Sequence, residues 1–344
     1  MKAAIIEKHG ELDVLEVKNV PVPQPGPDEV VLKVLCAGLN HLDIWVRKGR
    51  PGASLEMPHI LGSDAVGVVE AVGERVESAT VGEEVVLYPG LGCGRCEFCI
   101  RGRQNLCTSF GIIGLNRPGT FAERVAVPAA NVYPKPAHMS CDEAGGFALA
   151  YLTAWHMLVG RARIRAGDVI LIHGIGGGVA LCALQLARLL GAEVIATSSS
   201  DDKLKRARDL GAGHTINYRE EDVPTRVRDI TAGRGVDVAF DTVGAATWPL
   251  DFACVRRGGT IVICGITTGP VAETNLQALY WNQLTVLGST LGSLAELGQM
   301  ARAVTISRLK PVVDEVFPLE QARDAMGKME AGRQFGKIVL SVAR

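Results

Sequence analysis

The sequence lacks any apolar run that approaches the roughly 20 residues of a membrane-spanning helix. It also lacks an excess of charge, since 36 Lys and Arg residues balance 37 Asp and Glu residues to a formal net charge of −1. Such a balance gives no general attraction to nucleic acid or to an anionic membrane. The N-terminal segment MKAAIIEKHGELDVLEV lacks the apolar core and cleavage site of a signal peptide. We therefore expect a cytoplasmic protein that acts on a small molecule.

Two kinds of pattern divide the 344 residues. Up to about residue 135, short β-like runs such as EVVLKVLCAG alternate with Gly and Pro, which predicts a β-rich, barrel-like domain. Ala148, Leu152, Trp155 and Val159 then recur at helical spacing and predict a linker helix. Apolar strands alternate with amphipathic helices after it, which is the pattern of a doubly wound α/β domain with a parallel sheet.

The end of the chain returns to strand, helix and strand, and we expect this segment to rejoin the first domain. The predicted boundaries are residues 1–140 for the first domain, 141–305 for the α/β domain and 306–344 for the return segment.

Glycines stand between an apolar strand and a helix in VILIHGIGGGVALCALQLAR. In this context, backbone N–H groups at the positive end of a helix can approach a pyrophosphate. The spacing G-x-G-x-x-G fails because Val179 holds the third position, but G-x-x-G-x-x-A is met by Gly174, Gly177 and Ala180. A plain strand-to-helix turn would also favour glycine, yet the alternating strands and helices that follow favour dinucleotide binding. We assign Gly174, Gly177, Gly178 and Val179 to the cofactor site.

The end of the next strand, EVIATSSSDDK, concerns the choice between NAD and NADP. NAD-binding domains commonly place Asp or Glu about 20 residues after the glycine loop, for the ribose 2′-hydroxyl. This chain has hydroxyl side chains there instead, and Lys203 follows one helical turn later. Hydroxyls and a cation suit a 2′-phosphate, so we expect NADP(H) to be preferred over NAD(H). Ser199, Lys203 and Tyr218 complete the predicted cofactor site, although Ser199 and Ser200 could simply cap the following helix.

Four of the nine cysteines crowd into GCGRCEFCIRGRQNLC. Cys93, Cys96, Cys99 and Cys107 are separated by two, two and seven residues, and such short spacings let one loop surround a tetrahedral Zn²⁺. Four thiolates close the coordination shell and leave no position for substrate, so we expect one structural Zn²⁺ per chain. Unligated thiols would leave four reactive groups together, and an iron–sulfur cluster is the other use of four such ligands.

The cysteine loop and the stretch GGGVALCALQLARLLGAEVIATSSSDDKL together resemble the medium-chain dehydrogenase/reductase superfamily, over essentially the full chain. This superfamily contains zinc-binding alcohol dehydrogenases and quinone oxidoreductases. The resemblance implies an α/β fold in which a Rossmann doubly wound parallel sheet accompanies a GroES-like β-rich catalytic domain, with a structural-zinc lobe at about residues 90–110. It also implies a homodimer or homotetramer, and LTVLGSTLGS resembles the strand through which family members pair their sheets.

The same resemblance also bears on whether the chain binds a second, catalytic metal ion. Zinc alcohol dehydrogenases hold a catalytic zinc with a Cys in G-x-C-x-x-D, a His in G-H-E and a later Cys or acidic residue. The matching positions here are Asn40 in GLNHLD, Ser63 in GSD and Leu149 in FALAYLT, none of which is a good zinc ligand. The residues that relay the alcohol proton in the family fall on Leu42 and Trp45, so the relay is also missing.

These departures resemble the quinone oxidoreductase branch, whose members reduce quinones or activated C=C bonds with NADPH and without a catalytic metal. We predict that the protein reduces a quinone, an enone or another activated carbonyl compound, for which hydride positioning and a hydrogen-bond donor suffice. Asn40 is the predicted donor, or the residue that orients the nicotinamide, and Asp43 is assigned to the catalytic site with it. One alternative is a rearranged zinc site built from His41, His59, Asp43 or Asp64, and another is a dinucleotide-binding sensor without enzymatic activity.

Overall fold

The structure, a computed structural model, describes residues 1–49 and 55–343. The chain forms two units, one made of Met1–Ala150 with Ser293–Arg344 and the other made of Tyr151–Gly292. No helix in the described part of the chain is long and apolar enough to span a membrane.

The first unit is built mainly from short strands, as its alternating apolar residues predict. Its strands up to residue 134 are β1 (Lys2–Ile6), β2 (Leu15–Asn19), β3 (Glu29–Gly38), β4 (His59–Ile60), β5 (Val66–Val72), β6 (Glu84–Leu87), β7 (Gly90–Leu91), β8 (Gly111–Ile112), β9 (Arg124–Pro128) and β10 (Val132–Pro134). Its helices up to residue 145 are α1 (His41–Lys48), α2 (Glu97–Ile100) and α3 (Cys141–Gly145), with 3₁₀ turns at Leu12–Val14, Gln104–Leu106 and Ala129–Asn131.

The predicted linker helix is confirmed as α4 (Ala148–Trp155), which continues into a π-helical turn at His156–Arg161. Three of the four residues that predicted it, Ala148, Leu152 and Trp155, are buried. The strands of the second unit are β11 (Val169–Ile172), β12 (Glu193–Ser198), β13 (His214–Asn217), β14 (Val236–Asp241), β15 (Val255–Ile263) and β16 (Thr285–Gly288). Its helices are α5 (Gly178–Leu189), α6 (Asp201–Asp209), α7 (Val223–Ile230), α8 (Trp248–Cys254) and α9 (Leu276–Trp281).

The six strands of the second unit form one parallel sheet in the order β13-β12-β11-β14-β15-β16. The central strands β11 and β14 are almost completely buried and are apolar apart from Asp237 and Asp241 of β14, because helices cover a parallel sheet on both faces. The strand order reverses between β11 and β14. That position is the topological switch point, outside which ligands of doubly wound sheets bind.

The chain then returns to the first unit through α10 (Leu294–Ser307), β17 (Val313–Pro318), a 3₁₀ turn at Leu319–Gln321, α11 (Ala322–Glu330) and β18 (Lys337–Ser341). β18 pairs with β3 antiparallel and β17 pairs with β18 parallel, so the return segment extends the sheet β10-β6-β5-β3-β18-β17. Smaller sheets are formed by β2-β1-β4 and by β7-β8. The core of this unit gathers apolar residues from all parts of it, including Leu32, Leu61, Phe121 and Ile338.

The predicted domain boundaries differ from the division in the structure, which falls after residues 150 and 292 rather than after 140 and 305. α3 stays with the first unit because it packs on β3, β17 and β18. α10 also belongs to this unit, and its Gly298 faces the ring of Tyr133.

Two features of the first unit were not predicted. α1 is a helix within the region whose pattern predicted a β-rich domain. A disulfide joins Cys36 of β3 to Cys141 of α3, across 105 positions of sequence. The nine cysteines therefore divide into four in the loop, two in a disulfide and three elsewhere, Cys182, Cys254 and Cys264.

Candidate active site

Asn40 lies at the junction between β3 and α1. A Cβ atom added to Gly38, the last residue of β3, would lie 2.6 Å from the carbonyl oxygen of Gly145, so only glycine allows α3 to approach the strand this closely. Asn40 is the N-cap of α1, and its backbone N–H donates to the Asp43 carboxylate at 2.8 Å. This hydrogen bond satisfies a backbone donor next to the helix start and fixes the direction in which the Asn40 side chain leaves the chain.

The Lys337 ammonium group is buried beside Asn40. Lys337 begins β18 and is only 3% exposed. Its Nζ donates to the Leu39 carbonyl oxygen at 2.7 Å, to Asn40 Oδ1 at 2.6 Å and to Asp64 Oδ2 at 3.2 Å. Asp64 is fully buried. A positive and a negative charge therefore lie side by side out of solvent, with the hydrogen bonds that a buried ion pair requires.

The carboxamide of Asn40 bridges this ion pair. Its Nδ2 donates to Asp64 Oδ2 at 3.0 Å and, over a longer distance of 3.4 Å, to the Gly38 carbonyl oxygen. The charges settle the orientation of the amide, because a flipped amide would turn its NH₂ group toward the ammonium and its oxygen toward the carboxylate. The ammonium also polarises the amide through Oδ1 and so makes Nδ2–H a stronger donor.

Asp64 connects this cluster to two further segments. Its Oδ1 accepts the backbone N–H of Leu149 in α4 at 2.7 Å, and its backbone oxygen accepts the Thr120 hydroxyl at 2.8 Å. The neighbouring Ser63 is fully buried, and its hydroxyl has no hydrogen-bond partner among the described residues. The three positions singled out in the sequence, Asn40, Ser63 and Leu149, are thus drawn together around one buried carboxylate.

Asp43 is a second buried carboxyl next to the cluster, with 1% of its surface exposed. Burial raises the pKa of Asp43 to about 7, against the lowering effects of the Asn40 N–H and of the Lys337 charge. Its Oδ1 accepts no hydrogen bond from the part of the chain that the structure describes. Asp43 therefore changes its charge near neutral pH, unlike an ordinary aspartate.

The side chains at the three family ligand positions do not fit a zinc ion. Leu149 has no ligand atom, Ser63 offers only a hydroxyl, and the amide oxygen of Asn40 accepts a hydrogen bond from an ammonium group. The positive charge of Lys337 at this place would also repel a divalent cation. The donor set at Asn40 therefore argues against metal-based chemistry there.

The residues of the alternative zinc site have other contacts. His59 is buried, its Nε2 lies 3.0 Å from the Gly114 carbonyl oxygen, and burial lowers its pKa. His41 packs edge-on against the ring of Trp45, with 5.1 Å between ring centroids. Within residues 1–49 and 55–343, the only group of three or more potential metal-binding side chains with closely placed ligand atoms is formed by cysteines.

These are the cysteines of the predicted zinc lobe, whose four Sγ atoms all lie within 4.8 Å of one another. A tetrahedral Zn²⁺ with bonds of about 2.3 Å to sulfur places its ligand atoms about 3.8 Å apart, so the cluster fits the ion after a small contraction. The backbone N–H groups of Cys93 and Ser109 donate to Cys107 Sγ at 3.2 and 3.3 Å. N–H groups lower the pKa of Cys96, whereas burial raises that of Cys99, and a bound zinc ion would hold all four as thiolates.

The glycine loop of the second unit follows β11 and leads into α5. Gly174 and Gly176 have φ values of +64° and +128°, which favour glycine. Gly177 is the N-cap of α5 and supplies no side-chain cap, so the N–H groups of the first helical turn, from Gly178 and Val179 onward, remain for an anion. The sequence prediction of a pyrophosphate cradle therefore has the matching backbone geometry.

The residues predicted to choose between NAD and NADP lie at the ends of β12 and β13. Ser199 directly follows β12, and Ser200 caps α6 by accepting the backbone N–H of Lys203 at 3.4 Å. Tyr218 follows β13, is half exposed, and donates its backbone N–H to Ser198 at 3.1 Å. Ser200 thus has the capping role that was the structural alternative, while Ser199, Lys203 and Tyr218 lie on neighbouring segments.

Sequence reasoning missed Lys337. The available signal was a lysine at the start of the apolar strand KIVLS, where a charged side chain needs a buried partner. The partner stands 273 positions away, so spacing alone could not pair the two.

Comparison with known proteins agrees with this architecture. Residues 26–137 match the family model of the alcohol dehydrogenase GroES-like domain, and residues 178–305 match that of the zinc-binding dehydrogenases. A zinc-type alcohol dehydrogenase-like protein of Schizosaccharomyces pombe is 32% identical over 341 residues, which cover 96% of both chains. Crotonyl-CoA carboxylase/reductase of Cereibacter sphaeroides is 32% identical over 94% of this chain and 82% of its own.

A solved structure, described as an NAD-dependent alcohol dehydrogenase, is 45% identical and superimposes with a TM-score of 0.95 over the full length of both chains. The family models cover the cysteine lobe and residues 178–305, and the relatives cover almost the whole chain. The chain therefore belongs to the zinc-binding dehydrogenases of the medium-chain dehydrogenase/reductase superfamily, and it is an oxidoreductase that binds NAD(P).

Proposed function

We propose that the protein uses NADPH to reduce a quinone, an enone or another activated carbonyl compound without a metal ion at Asn40. The observation that carries the proposal is the Lys337 ammonium, which is hydrogen-bonded to Asn40 Oδ1 and Asp64 Oδ2. A cation already neutralises the carboxylate at the place where family members hold a catalytic zinc. The name of the crotonyl-CoA relative, which describes reduction of an acyl group with a conjugated C=C bond, supports an activated acceptor.

Such a reaction makes limited demands on the protein. A nicotinamide cofactor, when bound, would supply the hydride. The acceptor carbonyl would take up its electrons as an oxyanion, and a proton from solvent would complete the reduction. Asn40 Nδ2 donates to that oxyanion with the hydrogen that is directed at the Gly38 oxygen, because this 3.4 Å bond is the weaker of its two. Lys337 strengthens the donor through Oδ1 without touching the substrate.

Asp43, in this proposal, is a positioning residue. Its carboxylate holds the Asn40 backbone N–H at 2.8 Å and so fixes the start of α1. Asp64 holds the remaining Nδ2 hydrogen and the Leu149 N–H, which keeps the amide in one orientation. The site is therefore rigid before substrate arrives, as hydride positioning requires.

The test is turnover of Asn40→Ala with NADPH and a panel of quinones, enones and aldehydes. Loss of one oxyanion donor predicts a decrease in kcat of about 100-fold, with NADPH affinity changed less than twofold. Ser63→Ala is the matched control, since its hydroxyl makes no hydrogen bond to the described residues, and it should keep wild-type turnover. Equal turnover of Asn40→Ala and wild type would remove Asn40 from the mechanism.

A second assay tests the absence of a catalytic metal. The enzyme, with its cysteine-bound zinc intact, is treated with a chelator that reaches an open site but strips a closed four-cysteine site slowly. We expect acceptor reduction to survive and simple alcohols to be poor substrates. Brisk alcohol oxidation that the chelator abolishes, while the fold persists, would establish a catalytic zinc near His41 and His59 instead.

We further propose that NADP(H) is preferred over NAD(H), because hydroxyl side chains occupy the end of β12 and the two positions after it, and Lys203 follows Asp201 and Asp202 in the first turn of α6. The solved relative described as NAD-dependent makes a direct comparison of the two cofactors the first experiment.

We also propose that the chain forms a homodimer or homotetramer through β16. This strand is at the edge of the parallel sheet, and Tyr280, Trp281 and Val286 in and near it are 65%, 64% and 39% exposed. An unpaired edge strand with exposed apolar neighbours favours pairing with another chain. Light scattering should give a multiple of the 36.5 kDa chain mass. Val286→Lys should shift it toward monomer, and Ile306→Lys, in the other unit, should not.

A further inference from the structure

A buried histidine–carboxylate cluster lies under the start of the glycine loop. His173 follows β11 directly, Asp241 ends β14, and these two strands flank the switch point of the sheet. Asp251 of α8 completes the cluster, and all three side chains are at most 1% exposed. The mechanism proposed above uses none of them.

A chain of hydrogen bonds runs from the loop into this cluster. The Gly174 N–H donates to Thr197 Oγ1 at 3.4 Å, Thr197 Oγ1 lies 3.5 Å from His173 Nδ1, and His173 Nε2 lies 3.0 Å from Asp251 Oδ1. All three hydrogen bonds form together if the Thr197 hydroxyl donates to His173 Nδ1 and the His173 Nε2–H donates to the Asp251 carboxylate. The first N–H group of the phosphate-binding loop is thus tied to a buried acid.

The charges of the cluster are not balanced by a strong base. Asp241 is held by the Val243 N–H at 2.6 Å and by the Thr247 hydroxyl at 2.9 Å, and neither it nor Asp251 pairs with Lys or Arg among the described residues. Asp251 Oδ2 accepts no hydrogen bond from those residues either. Two carboxyl groups and one imidazole therefore lie together, buried, directly under the site for an anionic ligand.

We infer that His173 and Asp251 are positioning residues that couple dinucleotide binding to the uptake of a proton by the buried cluster. A pyrophosphate on the loop adds negative charge above the two carboxyl groups, and the cluster responds by binding a proton. This inference rests on dinucleotide binding at the glycine loop, but it does not depend on the acceptor substrate or on the role of Asn40.

The acid–base properties of the cluster are suited to this role. Burial raises the pKa of Asp251 to about 7, and Asp241 raises it further while His173 opposes the shift. In the part of the chain that the structure describes, the other titratable groups that face the cluster are the thiols of Cys254 on α8 and Cys264 after β15. Burial raises the pKa of both to about 12, so they stay neutral. Arg228 of the neighbouring α7 and Asp222, the N-cap of that helix, act on Cys254 with opposite charges.

A ligand that raises the pKa of Asp251 above about 7 takes up protons between the free and the bound value, so its affinity falls as pH rises through that window. A rise of one pKa unit corresponds to about a tenfold change in Kd between pH 6 and pH 9. Below the window the carboxyl is already protonated and no proton is exchanged.

The experiment is calorimetric titration of the full-length protein with NADH in buffers that differ in ionisation enthalpy. NADH is the probe because the 2′-phosphate of NADPH itself titrates near pH 6. Wild type should take up between about 0.3 and 0.8 protons at pH 7.5, and its Kd should rise about tenfold from pH 6 to pH 9. Asp251→Asn should show no uptake and a flat Kd, and His173→Asn should weaken binding at every pH.

Asp237→Asn is the matched control. Asp237 is also buried in β14 but lies at the opposite end, paired with Arg234 and Arg256, which together with a backbone N–H hold its pKa at about 2. It should leave the proton uptake unchanged. Wild-type binding without proton exchange overturns the inference whatever the variants do, and it leaves the oxidoreductase assignment intact. Failure of wild type to bind either dinucleotide would defeat the cofactor assignment and this inference together.

Discussion

Replacing Lys337 by methionine is the sharpest test of the buried ion pair. The substitution keeps most of the side-chain volume but removes the ammonium, and with it the donors to Leu39 O, Asn40 Oδ1 and Asp64 Oδ2. Among the described residues, the carboxylate of the fully buried Asp64 then keeps the hydrogen bonds from Asn40 Nδ2 and Leu149 N but has no cationic partner. The variant therefore leaves a carboxylate in the core without its counter-ion.

The expected cost can be worked out from these contacts. Breaking a buried pair by removing one partner costs about 3 to 5 kcal/mol, because the remaining charge is uncompensated. The methionine tail offsets part of this loss by burying apolar surface, at about 25 cal/mol per Å². We expect a net destabilisation of about 3 kcal/mol, which lowers the Tm of the unit that contains Lys337 by roughly 6 to 12 °C.

The measurement is differential scanning calorimetry at pH 7.5, with the transitions of the two units followed separately because a two-unit chain need not unfold in one step. Lys310→Met is the control, since Lys310 forms an ion pair with Glu143 at 3.1 Å but is half exposed. Such surface pairs contribute about 0 to 1 kcal/mol. A Lys337→Met variant that melts within about 2 °C of Lys310→Met would refute the buried ion pair as a stabilising element.

A double variant completes the test. Asp64→Asn removes the charge that Lys337→Met leaves behind, so the double variant should be less destabilised than the sum of the single variants by more than about 1 kcal/mol. Turnover gives an independent readout, because the loss of the ammonium weakens the Asn40 donor. We expect kcat to fall about tenfold in Lys337→Met while KM for NADPH stays within twofold.

Three further predictions concern the other parts of the site. Cys96→Ser should lower the zinc content from one atom per chain to none and reduce thermal stability, whereas Cys264→Ser should retain the metal; two zinc atoms per wild-type chain, by elemental analysis, would contradict the proposed mechanism. Lys203→Ala should weaken NADPH binding about tenfold and leave NADH binding unchanged, and a wild-type preference for NADH in fluorescence titration would refute the cofactor assignment. Asp43, whose folded pKa of about 7 exceeds its usual value, makes stability fall as pH rises from about 4 to 7. Asp43→Asn should reduce that fall by about 2 to 4 kcal/mol in melts at pH 5 and 8, and an unchanged pH dependence would contradict the raised pKa.

The parts of the fold that the sequence predicted are those with local signals. The parallel sheet follows from apolar runs that alternate with amphipathic helices, and the linker helix follows from the spacing of Ala148, Leu152 and Trp155. The cysteine cluster was also predictable, because all four ligands lie within one short loop and their Sγ atoms converge. In each case the residues that carry the sequence signal are close in the chain.

The sequence predicted which positions form the candidate site but not the contacts between their side chains. The exchange of zinc ligands for Asn40, Ser63 and Leu149 is visible in the sequence, but the Lys337 ammonium that bridges Asn40 and Asp64 depends on the pairing of β18 with β3. Similarly, the disulfide between Cys36 and Cys141 depends on how closely α3 approaches β3. α1 was missed because its eight residues are too few to show a helical period next to strand-like segments.

The predicted role of Asn40 is also changed in detail by its surroundings. The sequence predicted that Asn40 is the hydrogen-bond donor to substrate or the residue that orients the nicotinamide, yet both Nδ2 hydrogens already have acceptors, one of them at 3.4 Å. A direct contact with substrate thus requires one existing hydrogen bond to be exchanged rather than a new one to be added.

The return of the chain to its first unit has a consequence for synthesis on the ribosome. Asp64 is made 273 residues before Lys337, which at about 5 to 20 residues per second corresponds to roughly 14 to 55 s. Throughout that interval the nascent first unit contains Asp64 but not its counter-ion Lys337, and β3 has not yet paired with β18. The second unit, whose strands are contiguous in sequence, can meanwhile fold completely. Completion of the first unit, which holds Asn40 and Asp64, is therefore the last folding step. A chain released early would contain a folded second unit and a first unit without β18.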